Sequence, residues 1–366
     1  MNVLINALQA GNLSGTGRYV TELVRALAAL PDGPEMTLVW PAGQPAPGFG
    51  PRTDLVRRGS GTFRRLLDDH WGILELTARK GAEAVHYPAN FGPSSAVRGL
   101  VVTVHDLSFV RHPEWFRLNR ALYYRFMLKR TARVATRFHA DSEATAADLR
   151  AFLRLPEDRI DVAPLGVSTH FRPAPEAALA AVRGKYRLPE RFLLYVGTLE
   201  PRKNLARLIA AWSRLSREEA PPLVVAGRVG WKTEAVKRAA AESPRRTEIL
   251  FPGFVPQEEL PALYSAAQAF VWPSLFEGFG LPPLEAMACG TPVVTSNTSS
   301  LPEAVGDAAL TVDPLDEDAL SDAIRRVVTD SGLRAALREQ GLARAALFSW
   351  QRTAALTLET YQRARS

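Results

Sequence analysis

The chain has 366 residues, of which 46% are hydrophobic and 23% charged, with a formal net charge of +7. That apolar share excludes a disordered chain, and the single cysteine, Cys289, excludes a disulfide scaffold and fits a reducing compartment. The N-terminus lacks a signal-peptide pattern and no apolar run nears the roughly 18 residues of a spanning helix, so the expectation is a soluble, cytoplasmic protein of about two domains.

Short apolar runs at residues 3–8, 36–40, 84–87, 100–104, 137–140 and 160–164 read as strands. A second set follows at 192–197, 223–226, 248–252, 269–272, 292–295 and 309–312. Most are continuously apolar rather than alternating, the pattern of parallel strands covered on both faces. Helix-period stretches lie between them; in residues 17–30, Val20, Leu23, Val24 and Leu27 share one face. This alternation predicts an α/β chain with doubly wound parallel sheets. The Pro/Gly segment 41–51 reads as a loop inside the first half, whereas the proline-bearing stretch 171–190 separates two strand–helix series. The expected domains are therefore 1–180 and 186–348, followed by a terminal helix, 349–366, that either caps the second domain or crosses back to the first.

Four segments could carry chemistry. Residues 11–18 (GNLSGTGR) follow the first strand and open a helix, which suits either an anion-binding loop or an ordinary tight turn. His105 and Asp106 end the strand 100–104, and in open α/β sheets the carboxyl ends of strands face the ligand crevice. That pair either meets a substrate or caps the next element. In residues 197–204 (GTLEPRKN), Arg202 and Lys203 precede a helix starting near Asn204. Two cations beside the positive end of a helix dipole make sense chiefly with an anion bound, unless they are a solvated surface pair. The fourth, residues 276–285 (FEGFGLPPLE), gathers two glycines, two prolines, Glu277 and Glu285 behind the strand 269–272. Its helix start offers N–H groups to a diphosphate, and its two carboxylates can accept hydrogen bonds from flanking sugar hydroxyls.

The positive charge is uneven. Residues 111–137 hold eight Arg/Lys against one acid, Glu114, interleaved with Trp115, Phe116, Tyr123, Tyr124, Phe126 and Met127. This is either a surface for anionic lipid or an amphipathic helix with its aromatics in the core and its arginines in water; the second reading is slightly favoured. No nucleic-acid motif accompanies the charge, so no nucleic-acid partner is expected.

Taken together, these segments resemble glycosyltransferase family 4, a family of retaining, nucleotide-sugar-dependent enzymes with the GT-B fold. The resemblance rests on SGTGRYV at 14–20, HD at 105–106, ADSEAT at 140–145, PLGV at 164–167, VGTLEPRKN at 196–204 and FEGFGLPPLEAMACGTPVV at 276–294. It spans nearly the whole chain and implies two Rossmann-like domains facing a cleft. It implies that Glu285 accepts hydrogen bonds from a ribose, and that Glu277 with the backbone of Gly278, Phe279, Gly280 and Leu281 holds the transferred hexose and its phosphates. It further implies that Lys203, helped by Arg202, neutralises the diphosphate, that His105 meets the donor sugar, and that Gly15, Thr16 and Gly17 approach the donor phosphates. Residues 253–255, Val255 included, would line the base pocket. Many members carry Arg where this chain has Thr198, so the missing cation would come from Arg202 or Arg228.

The VGTLEPRKN form with the following AGRVGW segment is similar to bacterial mannosyltransferases of surface-polysaccharide assembly. That likeness favours GDP-mannose as donor over a UDP-sugar, a saccharide or lipid-linked saccharide as acceptor, and no metal or cofactor. The competing classes are a nucleotide-sugar epimerase on the same fold and a non-catalytic nucleotide-binding protein. An epimerase would convert the nucleotide-sugar with no acceptor present, and a binding protein would show no turnover.

Overall fold

A computed structural model of the chain describes residues 1–10, 15–59, 72–93 and 95–365. Two all-parallel sheets organise it. The first is built from β1 (Asn2–Ile5), β2 (Glu35–Pro41), β3 (Thr53–Arg58), β4 (Ala84–Tyr87), β5 (Leu100–Val104), β6 (Arg137–Ala140) and β7 (Ile160–Val162), in the spatial order 3-2-1-4-5-6-7. The second comprises β8 (Leu193–Val196), β9 (Leu223–Ala226), β10 (Ile249–Gly253), β11 (Ala269–Trp272), β12 (Val293–Ser296) and β13 (Leu310–Val312), ordered 10-9-8-11-12-13. Central strands such as β5 and β11 are buried along their whole length, which explains their unbroken apolar sequence.

Each sheet winds outward from its first strand and then returns to the other side. The order reverses between β1 and β4 in one sheet and between β8 and β11 in the other. The crevice beyond the carboxyl ends of such strands is where ligands enter doubly wound sheets.

Two elements differ from the sequence reading. Strand β3 was not anticipated: it lies at a sheet edge, carries Asp54, Arg57 and Arg58 and is largely solvent-facing, so no apolar run announces it. The first compact unit comprises Met1–Gly166 together with Ser349–Ser366, and the second is Val167–Phe348. The predicted boundary at 180 therefore moves to Gly166. Residues 167–180 belong to the second unit, where Phe171 packs edge-on to Tyr264 and the Ala174 amide donates to Ser265 Oγ.

The terminal helix Trp350–Arg365 lies on the first sheet, behind β4 to β6 and beside the helix Gly15–Ala29. Its buried face, Thr353, Ala354, Thr357 and Tyr361, meets a polar layer under the sheet: Tyr361 Oη lies 2.7 Å from His86 Nδ1, and Thr353 Oγ1 donates to the Pro164 carbonyl at 2.7 Å. No helix among the described residues is long and apolar enough to cross a membrane.

Candidate functional site

The segment after β8 and the segment after β11 meet at the switch point of the second sheet. Pro201–Lys203 forms one turn of 3-10 helix, and Asn204, in left-handed conformation, leads into the helix Leu205–Ser213. This presents Arg202 and Lys203 to the loop that follows Trp272. Lys203 Nζ lies 2.5 Å from Glu277 Oε1, Arg202 Nη1 donates to Glu277 Oε2 at 2.9 Å, and Arg202 Nε reaches Glu200 at 2.6 Å. Trp272 closes one side: its indole N–H donates to Glu277 at 3.1 Å, and its ring lies 4.6 Å below the Lys203 ammonium.

Glu277 and Lys203 are both buried, with 7% exposure each. Burial raises the Glu277 pKa, but Lys203 and Arg202 outweigh it and hold the carboxyl at about 2. Lys203 is lowered, first by burial and then by Arg202, with Glu277 and Glu200 opposing. The sequence argument that these cations need an external anion is therefore corrected: two carboxylates of the chain already balance them. A ligand diphosphate can enter by taking over the hydrogen bonds that Glu277 now supplies, since a phosphate offers the same charge-assisted acceptors.

The turn behind Glu277 is fixed by Ser299 and Ser300. The Glu277 amide donates to Ser299 Oγ at 3.2 Å, while Ser300 Oγ donates to the carbonyls of Glu277 and Phe279, both at 2.9 Å. Gly280 adopts φ 114°, where a side chain would be strained, and a Cβ there would lie 2.9 Å from Leu301. The chain then enters the helix Leu281–Ala288, with prolines in its first turn. Glu285 sits in that helix at 2% exposure, and Tyr264 donates to its Oε2 at 3.3 Å. Gly278 to Leu281 thus stand at the N-terminal end of this helix and beside Glu277, as the motif implied. Arg228 is elsewhere engaged, stacked 4.3 Å over the exposed Phe254 ring, next to the buried Val255. Leu199, the residue after Thr198, forms a bridge with Val229.

In the first unit, His105 extends from β5. Its backbone amide donates to Asn90 Oδ1 at 2.8 Å, its Nδ1 lies 2.8 Å from Asp141 Oδ2, and its Nε2 lies 3.2 Å from the Pro88 carbonyl. Tyr19 presents its ring edge-on at 4.8 Å. Asp106 turns away and accepts from the Ser108 amide and hydroxyl, so it caps the short helix Ser108–Arg111. The two readings of the His–Asp pair thus divide: Asp106 caps and His105 does not. Gly15, Thr16 and Gly17 occupy the first turn of the helix Gly15–Ala29, while residues 11–14 of that motif lie outside the described residues.

Sequence reasoning missed Asp141, Asn90, Trp272, Glu200 and the Ser299–Ser300 pair. Trp272 ends β11 and the others sit in the turns and loops between elements; Glu200 lay inside the quoted GTLEPRKN string, while Asn90, Trp272 and the serine pair belong to no charged cluster. Asp141 lay within the quoted ADSEAT string, and its place one residue past β6 was the only available signal.

The reading of the basic segment is corrected in part. The helix Leu118–Ala132 buries Ala121, Met127, Leu128 and Thr131, but exposes Leu118, Leu122, Tyr123 and Phe126 among its cations. Tyr123 and Phe126 therefore do not lie in the core, because the inward stripe of this helix is narrow.

Comparison with known proteins places these motifs in context. The family model described as Glycosyltransferase Family 4 matches residues 13–171, and the model described as Glycosyl transferases group 1 matches residues 182–344. The chain is 34% identical to the O-antigen chain mannosyltransferase B of Escherichia coli, over 96% of each protein. It is 30% identical to the MMP alpha-(1->4)-mannosyltransferase of Mycolicibacterium hassiacum, covering 90% of this chain and 78% of that relative. Among solved structures, the sucrose-phosphate synthase of Thermosynechococcus elongatus superposes with a TM-score of 0.78 at 24% identity, over 99% of this chain and 98% of that one.

Proposed function

The chain belongs to the family 4 glycosyltransferases and is a sugar-transferring enzyme, and on that premise we propose that it moves mannose from GDP-mannose to a saccharide of a growing surface polysaccharide. The sugar is supported by the two mannosyltransferase relatives, matched over 96% and 78% of their own lengths; a UDP-sugar is the second candidate donor. The observation that carries the site assignment is the buried cluster of Lys203, Arg202 and Glu277 at the β8/β11 switch point, one turn from a helix N-terminus.

In this reading Lys203 and Arg202 take the diphosphate, the amides of Gly278 to Leu281 add N–H donors, and Glu277 turns its carboxylate to the hexose hydroxyls. Glu285 accepts from the ribose. Gly15, Thr16 and Gly17 approach the phosphates through their helix start, Arg228 and Val255 flank the base, and His105 offers a hydrogen bond to the transferred sugar. Fixed cations stabilise negative charge where it develops, on the departing diphosphate, which is the kind of preorganised electrostatics that usually dominates such catalysis. The C1–phosphate bond breaks, the leaving phosphate oxygen takes the acceptor hydroxyl proton, and the new C1–oxygen bond forms on the same face. The anomeric configuration is then retained. The nucleotide-sugar enters as substrate, and the reading needs no cofactor.

The exposed Leu118, Leu122, Tyr123 and Phe126 among the cations of 111–137 suit an anionic membrane surface carrying a lipid-linked acceptor. Salt-sensitive sedimentation with phosphatidylglycerol vesicles, lost when arginines of this helix are reversed to Glu, would support that contact; sedimentation unchanged by the reversal would remove it.

The test of function is diphosphate release from GDP-, UDP- and ADP-sugars with a mannan acceptor, followed by NMR of the product anomer. The reading expects acceptor-dependent release from GDP-mannose with retention. Conversion of donor without acceptor, or inversion, would overturn it.

A further inference from the structure

The histidine at the end of β5 is held in a way that decides what it can do. Its Nε2 faces a backbone carbonyl, that of Pro88, at 3.2 Å, and a carbonyl can only accept, so Nε2 carries a hydrogen. Its Nδ1 faces the Asp141 carboxyl at 2.8 Å. One proton lies between them. An ordinary imidazole holds a proton more tightly than an ordinary carboxyl by about 2.6 pKa units, which favours that proton on nitrogen; burial raises the Asp141 carboxyl and narrows this gap, with the His105 charge and hydrogen bond acting against the rise. Burial alone would lower the His105 pKa, but the Asp141 charge and hydrogen bond, the Pro88 carbonyl and Asp106 outweigh it and raise it.

The other groups facing the ring do not cancel this. Tyr19 meets it edge-on with its hydroxyl turned to Thr103, 3.0 Å away. His86 and His139, the buried histidines that act on it through space, both have lowered pKa values, chiefly through burial, and stay neutral. Asp141 is itself 2% exposed, and its second oxygen, Oδ1, has no hydrogen-bond partner. A buried carboxyl with an unpaired oxygen is costly, most of all when ionised, and the charge and hydrogen bond of His105 offset part of that cost.

We infer that Asp141 is a positioning residue that keeps His105 doubly protonated, so that the ring serves the transfer as a cationic hydrogen-bond donor and not as a base. The inference rests on the transferase reading for its purpose, though not for its geometry. A ring with both nitrogens protonated cannot take the acceptor's proton. Its Nε2–H, on the longer of the two bonds, is the one free to swing from Pro88 to a substrate oxygen. The acceptor's proton must then leave by another route, in keeping with the proposed role of the departing phosphate.

The experiment pairs ¹⁵N NMR of the six histidines in the full-length protein with activity profiles. The His105 signals are assigned by difference from His105→Gln. In the wild type His105 should remain an imidazolium through pH 7.5. In Asp141→Asn, which keeps the shape and removes the charge, it should be neutral at pH 7.5, and turnover there should fall about tenfold or more, with the activity profile displaced toward lower pH. A neutral His105 in the wild-type protein would overturn the inference even should the variant fold poorly. A well-folded variant with uniformly lowered activity and an unmoved pH profile would also overturn it. The NMR arm uses no substrate, so it stands or falls apart from the transferase reading.

Discussion

The two units place charged groups at the same kind of position, the carboxyl ends of central parallel strands, yet they handle the charge differently. In the second unit, Arg202, Lys203, Glu200 and Glu277 form a four-member cluster whose charges balance, in which Arg202 and Glu277 each bond two partners. In the first, His105 depends on one carboxyl, with Asn90 and Pro88 fixing its position. A balanced network can exchange an internal carboxylate for an external phosphate without leaving a bare buried charge. A single pair cannot, and is suited instead to keeping one group in one protonation state.

The largest test of that contrast is Lys203→Ala. It removes the cation nearest the proposed diphosphate, and turnover should fall about 10²–10³-fold, measured as diphosphate release, with the circular dichroism spectrum retained. Near-normal turnover would break the assignment of the second unit. Glu285→Ala should weaken nucleoside diphosphate binding about 10- to 100-fold, the loss of a charged hydrogen-bond acceptor, read by calorimetry. Asp141→Asn should leave the same calorimetric affinity unchanged, because the proposed contact of its partner His105 is with the transferred sugar and not with the nucleotide; an equal loss in both variants would erase the distinction between the two regions.

Acid should also separate them. The His139 pKa is lowered to about 4 by burial, so the folded form binds fewer protons than the unfolded chain. Stability from this group is present above about 6.5 and lost as pH falls toward 4, worth about 3 kcal/mol. The buried His86 acts in the same direction, and the raised His105 opposes both. In the second unit Glu277, held at about 2, keeps its contribution until pH drops below about 4.3. Hydrogen exchange at pH 4.5 should therefore show the first unit opening before the second. The smallest expected effect is that of Gly197→Ala. A Cβ there would lie 2.6 Å from the Trp272 ring, and the displaced indole should loosen Glu277 and cost about 1–3 kcal/mol in thermal stability.

These residues also mark what could be read from the chain alone. The second-unit site was legible because its parts are contiguous: RK at 202–203 and the glycines and acids of 277–285 each announce a charged turn behind an apolar run. The ion pair that joins them was not, since Lys203 and Glu277 are 74 residues apart and meet only because β8 and β11 are neighbours. Likewise His105 stood out at a strand end, while Asp141 became a partner only through the pairing of β5 with β6. Buried strands were read closely because both faces are apolar; β3 escaped because an edge strand needs no such run.

The most direct test of the account is a crystal of the protein soaked with GDP. The account predicts the diphosphate against Arg202, Lys203 and the amides of Gly278 to Leu281, with the ribose on Glu285 and the Glu277 carboxylate displaced from Lys203. A diphosphate bound away from these residues, with the Lys203–Glu277 pair intact, would contradict it.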